Sequence, residues 1–202
     1  MAPAGEPVSL ADLRTQLGLT ATGSPLSHPD DAYVTGLGIA ARRFYEAVTG
    51  RSLVTQTWAM TCDDFPASSR TPIFLPKAPV QAVSSIQYID TDGATQTWDS
   101  SEYQTDLAGL TPRLLPGPAY SWPVAGNYLS AVTITFVTGY AATSSPVTDH
   151  GENVPEEDKL AIKALAAHWY EHRTPVAAGA VVTDLPFHLQ SLFSLRRIPW
   201  VF

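Results

Sequence analysis

The chain has 202 residues, of which 45% are hydrophobic and only 15% charged, and its 12 basic against 19 acidic side chains give a net charge of -7. This balance excludes tight wrapping of nucleic acid, which needs clustered cations, because only Arg42-Arg43 and Arg196-Arg197 are adjacent bases. No apolar run approaches the ~20 residues of a membrane span, MAPAGEPVSL lacks the regions of a signal peptide, and the single cysteine, Cys62, excludes an internal disulfide and fits a reducing cytoplasm.

From the N-terminus, Ser9 is placed to cap a short helix over Leu10 to Leu17, with Asp12 at capping-box spacing and Gly18 just beyond the end. A second helix opens at Ser27, Pro29 and Asp30-Asp31, whose carboxylates complement the positive end of the helix dipole. Tyr33, Leu37, Ala41, Phe44 and Val48 follow a helical stripe that predicts the buried face, and Gly50 closes it. Gly36 and Gly38 each cost this helix about 1 kcal/mol against alanine. They point to a close approach, either inside a helical bundle or by a neighbouring subunit.

After Gly50 the period changes to two. Val54, Trp58, Met60 and Cys62 share one face of a strand, with threonines 55, 57 and 61 opposite. On this reading Cys62 is a buried strand thiol rather than a nucleophile. Further strands are predicted at Ile73 to Leu75, Val83 to Ile89 and Thr95 to Trp98, with Asp92-Gly93 as a hairpin turn. Prolines 112, 116, 118 and 123 mark an irregular loop. Ala131 to Val137 then alternates, with Val132, Ile134 and Phe136 on one face.

Helical patterning returns at Pro155, followed by Glu156, Glu157 and Asp158. Ile162, Leu165 and Trp169 form the predicted stripe, and Thr174-Pro175 ends the helix. The loop PVAAGAVV leads to a last helix capped by Asp184, with Leu185, Leu189, Leu192, Phe193 and Arg196 on one side. Beyond it Trp200, Val201 and Phe202 are large apolar side chains that need something to cover them. The fold class is therefore α+β: a small helical bundle from segments 1–51 and 143–202, with a β-rich subdomain inserted at 52–142. The two ends of the chain must meet, because neither helical block can bury its stripe alone.

His168, Glu171 and His172 match H-x-x-E-H, the inverted zinc-protease pattern, and histidines four apart on a helix face the same way. Such a site needs a third protein ligand, and the only acid downstream is Asp184, in the predicted cap. No nucleophile elbow, phosphate-binding loop, dinucleotide fingerprint or paired Cys-x-x-Cys is present. Asp63-Asp64 and TDHGEN read as solvated loop carboxylates. No metal or cofactor is expected, and the reading is that of a structural protein rather than an enzyme.

The successive segments PVSLADLRTQLGL, DDAYVTGLGIAARRFYEAVTGRSLVTQTWAM, IFLPKAPVQAVSSIQYIDTDG, TITFVTGY, VPEEDKLAIKALAAHWYEHR and LPFHLQSLFSLRR resemble the head–tail connector proteins of long-tailed bacteriophages, prophages and gene transfer agents. One departure is His172, where that family usually carries asparagine, and the loop PVTDHGEN is longer than its norm. The resemblance implies an adaptor ring, typically dodecameric, that docks below the portal in the virion neck after assembly in the bacterial cytoplasm. It extends the DNA channel without sequence-specific binding and offers a surface to head-closure or tail proteins, with no enzymatic activity, cofactor or membrane contact. Subunit contacts are expected at Gly36, Gly38, Arg42, Arg43, Tyr170 and His172, and portal docking at Arg196, Arg197, Trp200, Val201 and Phe202. The alternatives are another neck or tail-completion protein of the same particle, and a zinc hydrolase built on His168, Glu171 and His172.

Overall fold

The computed structural model describes residues 3–20, 22, 27–172 and 187–198, and within these the chain forms two compact units, one holding Gly5–Val54 with Ala142–Arg197 and the other Thr55–Ala141. Among the described residues there are helices, two antiparallel sheets and no helix long and apolar enough to cross a membrane.

The first unit is helical. α1 (Leu10–Leu17) carries the full capping box: Ser9 Oγ accepts from the Asp12 amide, and Asp12 accepts from the Ser9 amide. Gly18 ends it with φ 66°, where a side chain would be strained. α2 (Asp31–Thr49) begins at the predicted Asp30-Asp31 pair. Asp30 makes no capping bond; Asp31 instead accepts from the His28 amide at 2.8 Å and from Arg14 Nε at 2.7 Å, tying α1 to α2.

The buried face of α2 is Val34, Gly38, Ala41, Tyr45 and Thr49, with Arg42 and Glu46 among them. Of the predicted stripe only Ala41 is buried, while Tyr33 and Phe44 are 42% and 36% exposed. The helix carries two overlapping apolar stripes, and the buried one lies one residue further along. Its charges sit inside because they are satisfied there. Arg42 donates at 2.6 Å to both Glu6 and Glu46, and Glu46 also accepts the Leu53 amide at 2.8 Å.

α3 (Glu156–Glu171) buries Asp158, Ala161, Ile162, Leu165 and Ala166. Trp169, predicted as core, is half-buried, with its ring edge-on to Phe44 at 5.9 Å. α4 (Phe187–Arg196) turns Leu189 and Phe193 inward, and Phe193 meets Tyr45 edge-on at 5.3 Å. The predicted cap at Asp184, with Leu185, and the stop at Thr174-Pro175 lie outside the described residues.

The second unit is β-rich. β1 (Gln56–Cys62), β3 (Val80–Ile89), β4 (Thr95–Thr97) and β7 (Val132–Thr138) form an antiparallel sheet of order β1-β7-β3-β4. The alternation in β7 puts Val132, Ile134 and Phe136 in the core, opposite Cys62, Met60 and Trp58 on β1. Trp58 is nevertheless 40% exposed, with the Lys77 ammonium 5.4 Å from its ring centroid.

A second sheet, β2 (Ile73–Phe74), β6 (Arg113–Pro116) and β5 (Tyr103–Asp106), runs antiparallel in the order β2-β6-β5. The proline-rich stretch read as a loop thus begins as a strand, and β5 carries no alternation that would have announced it. Leu114 from this sheet joins Ile86, Phe65, Trp98 and Trp122 in the core. Phe65 stacks on Trp122 at 5.4 Å, whose indole donates to Ser68 O at 3.0 Å.

Phe136→Ala is expected to destabilise this unit by about 3–5 kcal/mol through the cavity it leaves. Trp58→Ala should cost about 1 kcal/mol or less, since it removes an exposed cation–π contact. Urea denaturation of the two variants checks the contrast.

Candidate assembly surfaces

The zinc-protease pattern occupies the last turn of α3. His168 and His172 lie near the end of α3 with ring centroids 4.5 Å apart, and His172 Nδ1 is 2.8 Å from the His168 carbonyl. That nitrogen serves as a donor to the helix backbone, while Glu171 is exposed one residue earlier. Among the described residues no group of three or more His, Cys, Asp or Glu side chains is placed to hold a metal ion. Cys62 is half-buried, and burial, reinforced by Asp63 and Asp64, pushes its thiol up, away from the thiolate a nucleophile requires.

The residues expected to dock a portal separate. Arg196 donates from Nε to Asp158 Oδ1 at 2.7 Å and from Nη2 to Oδ2 at 2.9 Å, and Asp158 has no exposure. Tyr45 Oη donates to the same carboxylate at 2.6 Å, and burial drives the phenol far above its ordinary range, with Asp158 adding to it. The Arg196 carbonyl in turn accepts from Arg51 Nε at 2.7 Å. Arg196 therefore seats α4 on α2 and α3, with its side chain 23% exposed. Arg197 is exposed. Trp200, Val201 and Phe202 lie outside the described residues.

The residues expected at subunit contacts separate in the same way. Gly38 is buried, and a Cβ there would stand 2.7 Å from Leu13 Cδ1, so this glycine admits α1 within the unit. Arg42 is 4% exposed and paired with Glu6 and Glu46, which corrects the expectation that it faces a neighbour. Gly36 is exposed with nothing within 4 Å of an added Cβ, and Arg43 is exposed beside it along the helix. Tyr170 is half-buried, donates to Asp30 Oδ2 at 2.6 Å and lies 6.2 Å from Tyr33; His172 is exposed.

Together Tyr33, Gly36, Arg43 and Phe44 make a continuous outer face of α2, aromatic at its ends and open at its middle. Tyr33 and Phe44 belong to the predicted stripe, whose Leu37 and Val48 are half-buried. Sequence periodicity marked it as apolar, and only the packing shows which apolar stripe is turned out. Three further exposed apolar residues, Val124, Tyr128 and Leu129, escaped the sequence reading, although apolar side chains in a Pro/Gly-rich loop were a signal for them.

No protein-family model matches the chain, and no curated protein is similar enough to it to match. Solved structures do share its fold. A chain in the neck of an empty gene transfer agent particle, computed with C6 symmetry, superposes with a TM-score of 0.76 at 23% identity, covering 100% of this chain and 95% of that one. A chain in the virion of a native gene transfer agent particle gives a TM-score of 0.73 at 22% identity, with 100% and 95% covered. A chain in the neck of a native particle, computed with C12 symmetry, gives 0.72 at 22%, with 100% and 94% covered.

Arg196→Ala should cost the folded chain about 3–5 kcal/mol, because it strands a buried carboxylate, whereas Arg197→Ala should stay within about 0.5 kcal/mol of the parent. Thermal melts distinguish them. A second expectation concerns acid. The Arg14 hydrogen bond, helped by the His28 amide, lowers the Asp31 carboxyl from 3.8 to about 2. A carboxyl depressed by folding adds stability above its unfolded value and loses it as pH falls through the folded one. Glu152, held at about 2 chiefly by Thr143, titrates in the same window. Melting temperature should therefore fall between about pH 4 and pH 2, and Asp31→Asn should flatten part of that slope.

Proposed function

We propose that this chain is a structural adaptor of the head–tail junction of a tailed, phage-like particle, forming a ring below the portal. The observation that carries the reading is the fold shared end to end with neck chains of gene transfer agent particles. The C6 and C12 symmetries of those necks support a ring of copies, and the dodecamer is the assembly proposed here. The ring extends the DNA channel, and the net charge of -7 keeps the protein from holding the passing duplex. Assembly takes place in the bacterial cytoplasm, and the role is structural, with no catalytic step.

Neighbouring copies meet through the outer faces of the helices at 30–49 and 155–173, with Gly36, Arg43, Tyr170 and His172 at the contact. Gly36 offers a bare stretch of helix backbone between aromatic side chains, where a neighbouring element can approach closely. Portal docking falls to Arg197, Trp200, Val201 and Phe202, and Arg196 serves it indirectly by seating α4. Aromatic and arginine side chains suit this role because they bury large areas while keeping a polar handle. Head-closure or tail proteins take the opposite side of the ring.

Gly36→Arg separates the ring from the fold. The added side chain meets open space within the chain, and loss of a helical glycine raises stability by up to about 1 kcal/mol. The variant should keep or raise its melting temperature yet fail to form rings by native mass spectrometry with portal present. Rings of normal size from Gly36→Arg would sink this interface. Deleting residues 199–202 tests the other contact: portal binding should vanish with the melting temperature unchanged, whereas a large drop in melting temperature with binding retained would place the tail in the chain's own core.

A further inference from the structure

One end of the four-stranded sheet gathers three connections. β7 begins at Val132, which pairs with Cys62 at the end of β1 and with Tyr88 near the end of β3. The segment after β1, the turn between β3 and β4, and the loop entering β7 therefore come together. On that loop Val124 is 74% and Leu129 87% exposed, with Tyr128 at 47%. Leu129 and Val124 are the most exposed large apolar side chains among the described residues of the unit, and the loop is not a loose tether.

The Gly126 amide donates to Ile89 O at 2.8 Å, the Tyr128 amide to Gly126 O at 2.8 Å, and the Ser130 amide to Asp63 Oδ1 at 2.7 Å. A Cβ on Gly126 would stand 2.4 Å from Asp90 O, so glycine is what lets the loop close onto the turn. Tyr128 lies over Gly126, and its hydroxyl reaches Gly93, leaving Val124 and Leu129 uncovered. Asp90 accepts from the Asp92 and Ala94 amides at 3.0 and 2.9 Å, which shapes the turn beneath. Beside Val124 a hollow of about 340 Å³ opens between Phe65, Pro66 and Trp122.

The charge around this apolar tip is mainly acidic. The converging segments carry Asp63, Asp64, Asp90 and Asp92 against one base, Arg70, near the end of the segment after β1, and 86–98 and 117–131 contain no lysine or arginine. Of the bases in Thr55–Ala141, Arg113 pairs with Asp106, Lys77 lies over Trp58, and Arg70 remains. Exposed apolar area of this kind marks a contact surface. A second copy of the tip would bring acid against acid, and a duplex would bring phosphate against acid, so both are disfavoured. We infer that Val124, Tyr128 and Leu129, rimmed by Asp63, Asp64, Asp90 and Asp92, dock a different protein whose seat is an apolar hollow edged with lysine and arginine. This rests on the neck reading only in that it places the partner in the same particle.

The test replaces Leu129→p-benzoylphenylalanine in the full chain, assembles particles and irradiates them. The expected adduct joins this chain to a different protein, at a peptide with lysine or arginine within a few residues of the attachment point. Val124→Asp in the same chain should lower that adduct at least tenfold while leaving the melting temperature unchanged, since Val124 is exposed. Adducts to a second copy or to DNA, an attachment peptide without bases, or no adduct in particles that contain the chain would overturn the docking surface while leaving the neck reading standing. Absence of the chain from particles, read by mass spectrometry of their protein content, would overturn both.

Discussion

The fully buried carboxylate of Asp158 holds the helical unit together, because α2 and α4 reach α3 through it. Tyr45 and Arg196 come from positions 113 and 38 residues away in the chain and saturate its oxygens between them. A buried ion pair of this kind contributes little net stability over a well-packed apolar one, but losing either partner leaves a charge in a medium that cannot solvate it. The network is thus a condition for one particular packing of α4 more than a source of stability. Arg51, donating to the Arg196 carbonyl, extends the same constraint to the end of the helix. Whatever the segment after Arg197 does, it departs from a helix end that is locked in place.

The same logic governs the second buried charge group. Arg42 bridges Glu6 and Glu46 beside α2, and Glu46 receives the chain again at Leu53. With these polar groups satisfied internally, α2 can turn a partly charged face to the core and keep an aromatic one outside. Tyr33 and Phe44 stay partly at the surface, resting on Tyr170 and on Trp169 and Phe193, with the bare backbone at Gly36 between them.

In the β-rich unit, rigidity and stickiness are separated. The aromatic cluster of Phe65, Trp98 and Trp122 and the alternating face of β7 make a dense core. The loop entering β7 is anchored at Gly126 and Ser130 and presents apolar side chains that none of this core needs. Such an arrangement lowers the ordering cost of an encounter, because the contact surface is already formed before a partner arrives.

The sequence by itself determined the α+β class, the capping box at Ser9, the stops at Gly18 and Gly50 and the alternation of Val132, Ile134 and Phe136, because each depends on neighbours within a few residues. It also determined that α2 carries two glycines and more apolar surface than one face requires. Only the tertiary structure decided which of two adjacent stripes is buried, since Tyr33 and Val34 belong to equally plausible periodic patterns until α1 and α3 cover one of them. It assigned Gly38 to α1 and left Gly36 bare. It also turned Arg196 from an outward cation into an internal bridge, because its partner, Asp158, is distant in the chain. β5 stayed illegible because one aromatic, Tyr103, followed by three polar residues shows no period, and their pairing with β6 is set by the partner strand rather than by their own pattern.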